Sequence, residues 1–389
     1  MASVCLYFQV HQPIRLNRFS FFDIGGEKEY FDSEKNRYYL ERVARKCYRP
    51  ANQLLLDMIK QTGGQLKLSF SITGILLEEL EKNFPDVLDS FRKLADTGSV
   101  ELMSETYYHS LAFLISKKEF MEQVKMHREK IRDVFGLTPT TFRNTEAMYS
   151  NEVADTVKKM GYKCIIAEGL DHILGWRSPN YLYKSKGAGL PVLLRNFRLS
   201  DDISFRFSTR EWEGWPLTAD KFSAWLKDAP GEIINLFMDY ETFGEHQWEE
   251  TGIFNFLKFL PGEILKHENL NFMTPAEIAR KLEPKDVYDV PYLSSWADVH
   301  RDLSAWLEND MQKKSFSEIK RIGNRVKRKG DKRIIDMWRK LQTSDHYYYM
   351  CTKWFADGDV HKYFNYYDNP YEAFLNFMNI MYDLKKKVS

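Results

Sequence analysis

Seven short apolar runs, separated by patterns of helical period, constrain the fold of this chain more than any other feature. "VCLYFQV" (4–10), "LKLSFSI" (66–72), "VELM" (100–103), "TTFRN" (140–144), "KCIIAEG" (163–169), "VLLRNF" (192–197) and "EIINLFM" (232–238) have the length and side chains of buried strands. Between them, "ANQLLLDMIKQTG" reads as a helix ending at Gly63. Leu77, Leu80, Phe84, Leu88, Phe91 and Leu94 read as one long helix, and Lys117 to Phe135 as another. "NEVADTVKKMG" reads as a helix capped by Asn151. The segment 201–215 reads as a strand leading into an aromatic loop. Strands alternating with helices predict βαβ units, a parallel sheet and an α/β fold, and seven strands over this length suit a barrel. From Pro284 the texture changes. "EPKDVYDVPYLSSW" reads as a linker, and beyond Asn309 the chain is basic and helix-like up to Lys387. The expected division is a barrel over 1–285 and a linker with helical region over 286–389.

Composition removes several function classes. Lys and Arg number 56 against 55 acids, so no charge excess points to nucleic acid or an anionic membrane. In the basic stretch Lys320 to Arg333 the charges are interrupted by Ile322 and Val326, the pattern of an amphipathic helix with one solvated face. No apolar run reaches the ~20 residues of a membrane span. The start "MASVCLYFQVHQP" does not read as a signal peptide, and Cys5, Cys47, Cys164 and Cys351 have no C-x-x-C spacing. A reduced, cytoplasmic protein is expected.

The polar residues that directly follow the strands carry the chemistry. The first strand ends in His11-Gln12-Pro13, and the third in Ser104-Glu105 with His109 four residues on. The fourth ends in Arg143-Asn144-Thr145-Glu146, the fifth in Glu168 with Asp171 and His172 beyond, and the last in Asp239. In a parallel α/β barrel these ends open on one face, where active sites are built. Each residue has a plainer alternative. An acid after a strand is commonly a helix cap, the preferred reading for Glu168 and Glu245 and an open one for Glu146. Taken together, the set suits glycoside hydrolysis, in which one carboxylate attacks and another protonates the leaving oxygen. Metal-assisted hydrolysis also uses His and carboxylates, but no H-E-x-x-H is present. Neither Gly-rich nucleotide motif occurs.

"HQP", "VELMSETYYHSL", "FRNTEAMYSNE", "MDYETFGEHQW" and "HRDLSAW" resemble, in this order, the five sequence regions of glycoside hydrolase family 57, and are most similar to its α-amylase subgroup. The resemblance spans His11 to Trp306. It implies an incomplete (β/α)7 barrel with a C-terminal helical region that helps close the site. It implies a retaining mechanism on α-glucans or maltooligosaccharides with no metal or other cofactor. Glu146 would be the nucleophile and Asp239 the general acid/base. His11, Gln12, Glu105, His109, Arg143, His246, His300, Asp302 and Trp306 would lie near the sugar, with Arg143 a cation that favours an ionised Glu146. Glu241 and Glu245 could raise the pKa of Asp239 or simply lie on the loop. Tyr107, Trp212, Trp215, Trp248 and Trp306 are aromatic candidates for stacking on glucose, Trp306 foremost by motif. His300 and Trp306 lie beyond the linker, so the chain past Pro284 is expected to complete the site. The two carboxyl groups are expected about 5–6 Å apart, as in a retaining pair. The alternatives are a 4-α-glucanotransferase, a glycan-binding protein without turnover, and a metal-dependent deacetylase or mannosidase on a similar barrel.

Overall fold

A computed structural model describes residues 2–353 and 365–389. Its strands are β1 (Ala2–Val10), β2 (Leu68–Ile72), β3 (Val100–Leu102), β4 (Thr141–Arg143), β5 (Cys164–Glu168), β6 (Tyr183–Ser185), β7 (Pro191–Arg195), β8 (Ile233–Asp239), β9 (Leu270–Phe272) and β10 (Asp286–Tyr288). All seven expected strands are present, with ends shifted by at most two residues.

β1 is buried along its whole length because both of its faces are covered. Val4, Leu6, Phe8 and Val10 join the apolar cluster built with the helices Arg49–Gln61 and Pro85–Ala95. Cys5 and Tyr7 point the other way, into a cluster with Met103, Ile166, Leu193 and Phe237. That second cluster draws on both sheets. One sheet has the order β3-β2-β1-β8, with β9 also beside β1, all pairs parallel. The other has the order β10-β6-β7-β5-β4, with only β6 and β7 antiparallel. The sheets meet at two seams. Ser104, just past β3, bridges Phe142 of β4, and Arg143 N donates to Ser104 O at 2.8 Å. Past β7, Asn196 N donates to Asn235 O of β8 at 3.0 Å, and Asn235 Nδ2 donates to Leu194 O at 2.8 Å.

Several local expectations are corrected. The residues 77–94 form two helices, Gly74–Asn83 and Pro85–Ala95, because Pro85 drives Phe84 out of helical geometry. Ser150, not Asn151, caps the next helix, accepting from Val153 N; the Asn151 side chain instead holds Val290 N and Asp289. The 201–215 segment is not a strand. Asn196 caps a helix, Phe197–Ser204, and turns follow it. The supposed linker contains β10. Three-residue strands such as β6, β9 and β10 are too short to show a period in sequence.

The helices Asp310–Lys329, Lys332–Lys340, Ser344–Tyr348 and Pro370–Lys387 follow. The expected helix-like run also covers 354–364, which lies outside the described residues. Ile319, Ile322 and Val326 are buried, so the basic stretch is an amphipathic helix as expected. Its apolar cluster also takes in Leu16 and Phe19 after β1, Leu111 after β3 and Met148 after β4. The helices therefore pack over the loops that leave the C-terminal ends of the strands. Among the described residues no helix is long and apolar enough to cross a membrane.

Gly323 marks a close approach inside this helical region. A Cβ there would lie 2.7 Å from the Trp338 ring. Gly323→Ala is expected to lower stability by about 1 kcal/mol net, because about 1–3 kcal/mol of overpacking outweighs the ~1 kcal/mol gain in helix propensity. Urea denaturation would measure it, and a variant as stable as the parent would contradict this packing.

Candidate active site

Strand register sets the floor of the site. Gln9 of β1 lies opposite Ser71 of β2 on one side and Asp239 of β8 on the other. Gln9 Nε2 donates to Glu105 Oε1 at 3.0 Å, and the Ser71 hydroxyl donates to the same oxygen. Glu105 Oε2 meets His109 Nδ1 at 3.0 Å, and His109 Nε2 meets Glu146 Oε1 at 3.2 Å. One imidazole thus bridges two carboxylates that follow different strands. Ser344 Oγ donates to Glu146 Oε1 at 2.8 Å, and Trp296 Nε1 donates to Glu146 Oε2 at 3.0 Å.

The backbone is bent to deliver these groups. His109, Glu146 and Ala147 all have left-handed φ, at 48°, 55° and 49°. Each costs a non-glycine residue about 1–2 kcal/mol, so surrounding contacts must hold it. The Thr145 and Thr106 hydroxyls share a 2.6 Å hydrogen bond, and Trp296 N donates to Glu146 O at 3.2 Å.

The electrostatics separate the carboxyl groups. Burial pushes Glu146 up, but the hydrogen bond and charge of His109 and the Arg143 guanidinium outweigh it, so its pKa falls below the usual value. Burial pushes Asp239 up and the Glu146 charge adds to this; Arg143 opposes both, and the result is about 6. Burial disfavours the His109 cation, yet its hydrogen bonds to Glu105 and Glu146 raise it to about 10. Glu105 is buried, but the same His109 contact brings it down to about 2. The imidazolium is the positive centre between two carboxylates. Burial followed by the Asp239 charge raises Glu241 to about 8, and Tyr48 donates to its carboxyl group.

Arg143 is buried, and its side-chain nitrogens have no hydrogen-bond partner among the described residues. Its guanidinium stacks on Trp296, 4.6 Å from the ring centroid. It is thus a cation whose field reaches Glu105, Glu146 and Asp239. The His11 ring stacks on His109 at 4.0 Å, and its nitrogens meet Thr73 Oγ1 at 3.1 Å and Asp345 Oδ2 at 3.0 Å. Gln12 follows it and accepts from Arg15 at 3.4 Å.

Other expected residues stand elsewhere. Trp306 is 2% exposed, sealed in the helical core near Tyr348, so its ring face is not offered to a ligand. His300 is exposed on a loop, where its N–H donates to Asp298. The Asp302 carboxylate binds Ser304 N at 2.8 Å, a local turn contact. His246 follows the Glu241 turn, and burial lowers its pKa to about 4. Glu245 pairs with Arg42, and Glu168 with Arg195, in line with structural roles. Tyr107 is buried and donates to Glu78; Trp212 packs against the core; Trp215 and Trp248 are exposed. Sequence reasoning missed Gln9, Ser71, Trp296, Ser344 and Asp345. The first two sit inside strands and obey the inward alternation of β1 and β2, which was a usable signal. The other three carry no local motif.

The sequence profile described as glycosyl hydrolase family 57 matches residues 5–291. The chain belongs to glycosyl hydrolase family 57. The resemblance read in the five ordered motifs is borne out. The chain is 46% identical, over 97% of its length, to a Methanocaldococcus jannaschii protein named "Putative alpha-amylase", and covers 83% of that protein. It is 23% identical over 72% of its length to an alpha-amylase of Pyrococcus abyssi, and spans 41% of that longer relative. Among solved structures, it is similar to a 4-alpha-glucanotransferase from Thermococcus litoralis, with TM-score 0.67 and 19% identity over 89% of this chain and 56% of that one. It is also similar to a GH57-type branching enzyme from Pyrococcus horikoshii, with TM-score 0.67 and 17% identity over 93% and 87%. At such identities the likeness is one of fold. The family 57 match includes Glu105, His109, Glu146 and Asp239 but stops before Trp296, Ser344 and Asp345, which hold the same cluster from outside it.

Proposed function

We propose that this family 57 chain is a retaining glycoside hydrolase acting on α-1,4-glucans, with Glu146 as nucleophile and Asp239 as general acid/base. One observation carries the reading: two carboxyl groups in one electrostatic neighbourhood are driven in opposite directions, Glu146 toward the anion and Asp239 up to about 6. That division is what the double displacement requires. Glu146 attacks the anomeric carbon while Asp239 gives its proton to the departing glycosidic oxygen. A glycosyl ester forms and the leaving sugar departs as an alcohol. The Asp239 anion then takes a proton from water, which attacks the anomeric carbon and frees Glu146. His109 and Ser344 both donate to Glu146 Oε1, which supports Oε2 as the attacking atom.

The same proposal reads β1–β5, β7 and β8 as one ring, an incomplete (β/α)7 barrel. The hydrogen bonds at the β3–β4 and β7–β8 seams support it. It assigns residues 1–285 to the catalytic part and 286–389 to a helical part that supplies Ser344 and Asp345. The α-glucan substrate is supported by the amylase and glucanotransferase names of the relatives. Those names also favour a second reading, a 4-α-glucanotransferase, in which a sugar hydroxyl replaces water in the second step.

Incubation with maltoheptaose decides between them. Shorter products with rising reducing ends, released first as the α-anomer, are expected for retaining hydrolysis. Longer products would mean transfer. An unchanged substrate that is nonetheless bound would mean a glycan-binding protein. Turnover abolished by a chelator would replace the metal-free mechanism.

A further inference from the structure

We propose that Ser344 and Asp345, on the short helix Ser344–Tyr348 of the C-terminal region, are a positioning pair that sets the orientation and charge of the nucleophilic carboxylate. The inference rests on the reading of Glu146 as nucleophile. Ser344 is buried and makes two contacts into the site. Its hydroxyl donates to Glu146 Oε1 at 2.8 Å, and its backbone N–H donates to His109 O at 2.9 Å. The second contact pins the left-handed residue whose imidazole shares that oxygen. Asp345 Oδ2 lies 3.0 Å from His11 Nε2. A neutral His11 with its proton on Nε2 donates there and accepts from Thr73 at Nδ1. Burial and the His109 cation both keep His11 neutral, so the 4.0 Å stack carries one positive charge and not two. Asp345 therefore fixes the His11 ring, and His11 backs the His109 ring that meets Glu146.

The groups facing Glu146 come from several elements. They are His109 after β3, Arg143 on β4, Asp239 on β8, Trp296 after β10, and Ser344 and Asp345 on the helix. Ser344 favours the ionised nucleophile by donating to it, whereas the Asp345 charge disfavours it. The two neighbours therefore act on Glu146 with opposite sign, so their replacement separates in the pH profile.

The test is the pH profile of kcat/KM for the full chain on maltoheptaose. Ser344→Ala is expected to lower kcat about 10-fold with KM changed less than about 3-fold, since the hydrogen bond serves the reacting carboxylate. Its acid limb should move up by about one pH unit. Ser344→Thr should restore the limb by returning the hydroxyl. Asp345→Asn keeps an acceptor for His11 but removes the charge, so its acid limb should move down. Limbs that stay in place, or that move in the same direction in both variants with unfolding curves unchanged, would overturn the pair. If Ser344→Ala does not fold, the downward limb of Asp345→Asn decides alone. Glu146→Gln separates the two readings. Turnover retained there sinks the nucleophile assignment itself. Turnover lost there, with unmoved limbs in the other variants, sinks only the positioning pair.

Discussion

Glu146→Gln is expected to cut turnover on α-glucans by about 10³-fold or more, equivalent to at least ~4 kcal/mol of barrier. The amide cannot form the glycosyl ester. It also fits its cage badly: the carboxylate accepts from His109, Ser344 and Trp296, and all three present hydrogen to it. A glutamine must turn its own N–H toward one of them, and a buried mismatch of this kind costs about 1–3 kcal/mol. Azide is small enough to take the place of the missing oxygen. It would attack the anomeric carbon directly while Asp239 protonates the leaving sugar, giving a glycosyl azide of inverted configuration. The rescued reaction has its own signature. The Glu146 charge helps hold the Asp239 proton, so the neutral variant should lose activity at lower pH on the basic side than the parent. A rescued product of retained configuration, or near-parental activity without azide, would remove Glu146 from the role.

How much of this site could be read from sequence depends on what carried the information. Asp239 was legible because the apolar run Ile233–Asp239 ends on it and strand direction fixes where that end opens. Glu105, His109 and Glu146 were legible for the same reason. Strand position alone assigns them no roles, which only the family resemblance implies; the separation of the Glu146 and Asp239 pKa values arises from burial and from Arg143 and His109, which only the fold brings together. The failures have one cause. Trp306 lies in a matching motif, but motif membership does not say which way a ring points, and here it points into the helical core. The indole that reaches Glu146 is that of Trp296, ten residues earlier. The chain past Pro284 touches the Glu146 and His11 side chains through Trp296, Ser344 and Asp345, and not through His300 and Trp306. Asp345 and His11 are far apart in sequence and meet at 3.0 Å, a contact that no periodicity encodes. Among the elements, the short strands β6, β9 and β10 and the Phe84–Pro85 break were the parts that hydrophobic period could not resolve.

Asp239→Asn should separate the two chemical steps. Without an acid, departure of a poor leaving group is slowed most, so turnover of starch should fall about 10³-fold. An aryl glycoside with a good leaving group needs no proton, and its glycosyl-enzyme should form at close to the parental rate. The second step then lacks its base, so the glycosyl-enzyme should accumulate and be visible as a burst followed by slow release. The pH dependence follows from the same proton. Asp239 must be protonated to act, and its pKa is raised to about 6, so parental kcat/KM should fall as pH rises through that value. Glu146 must be ionised and its pKa is lowered, so the acid limb should lie below the usual carboxylate range. In Asp239→Asn the basic limb should vanish from the glycosylation step while the acid limb stays. If the limb near 6 survives, another group supplies the proton, and Glu241, raised to about 8 by burial and by the Asp239 charge, is the first to examine. If starch and the aryl glycoside suffer equally, Asp239 is not the acid, and its place at the end of β8 is a matter of packing.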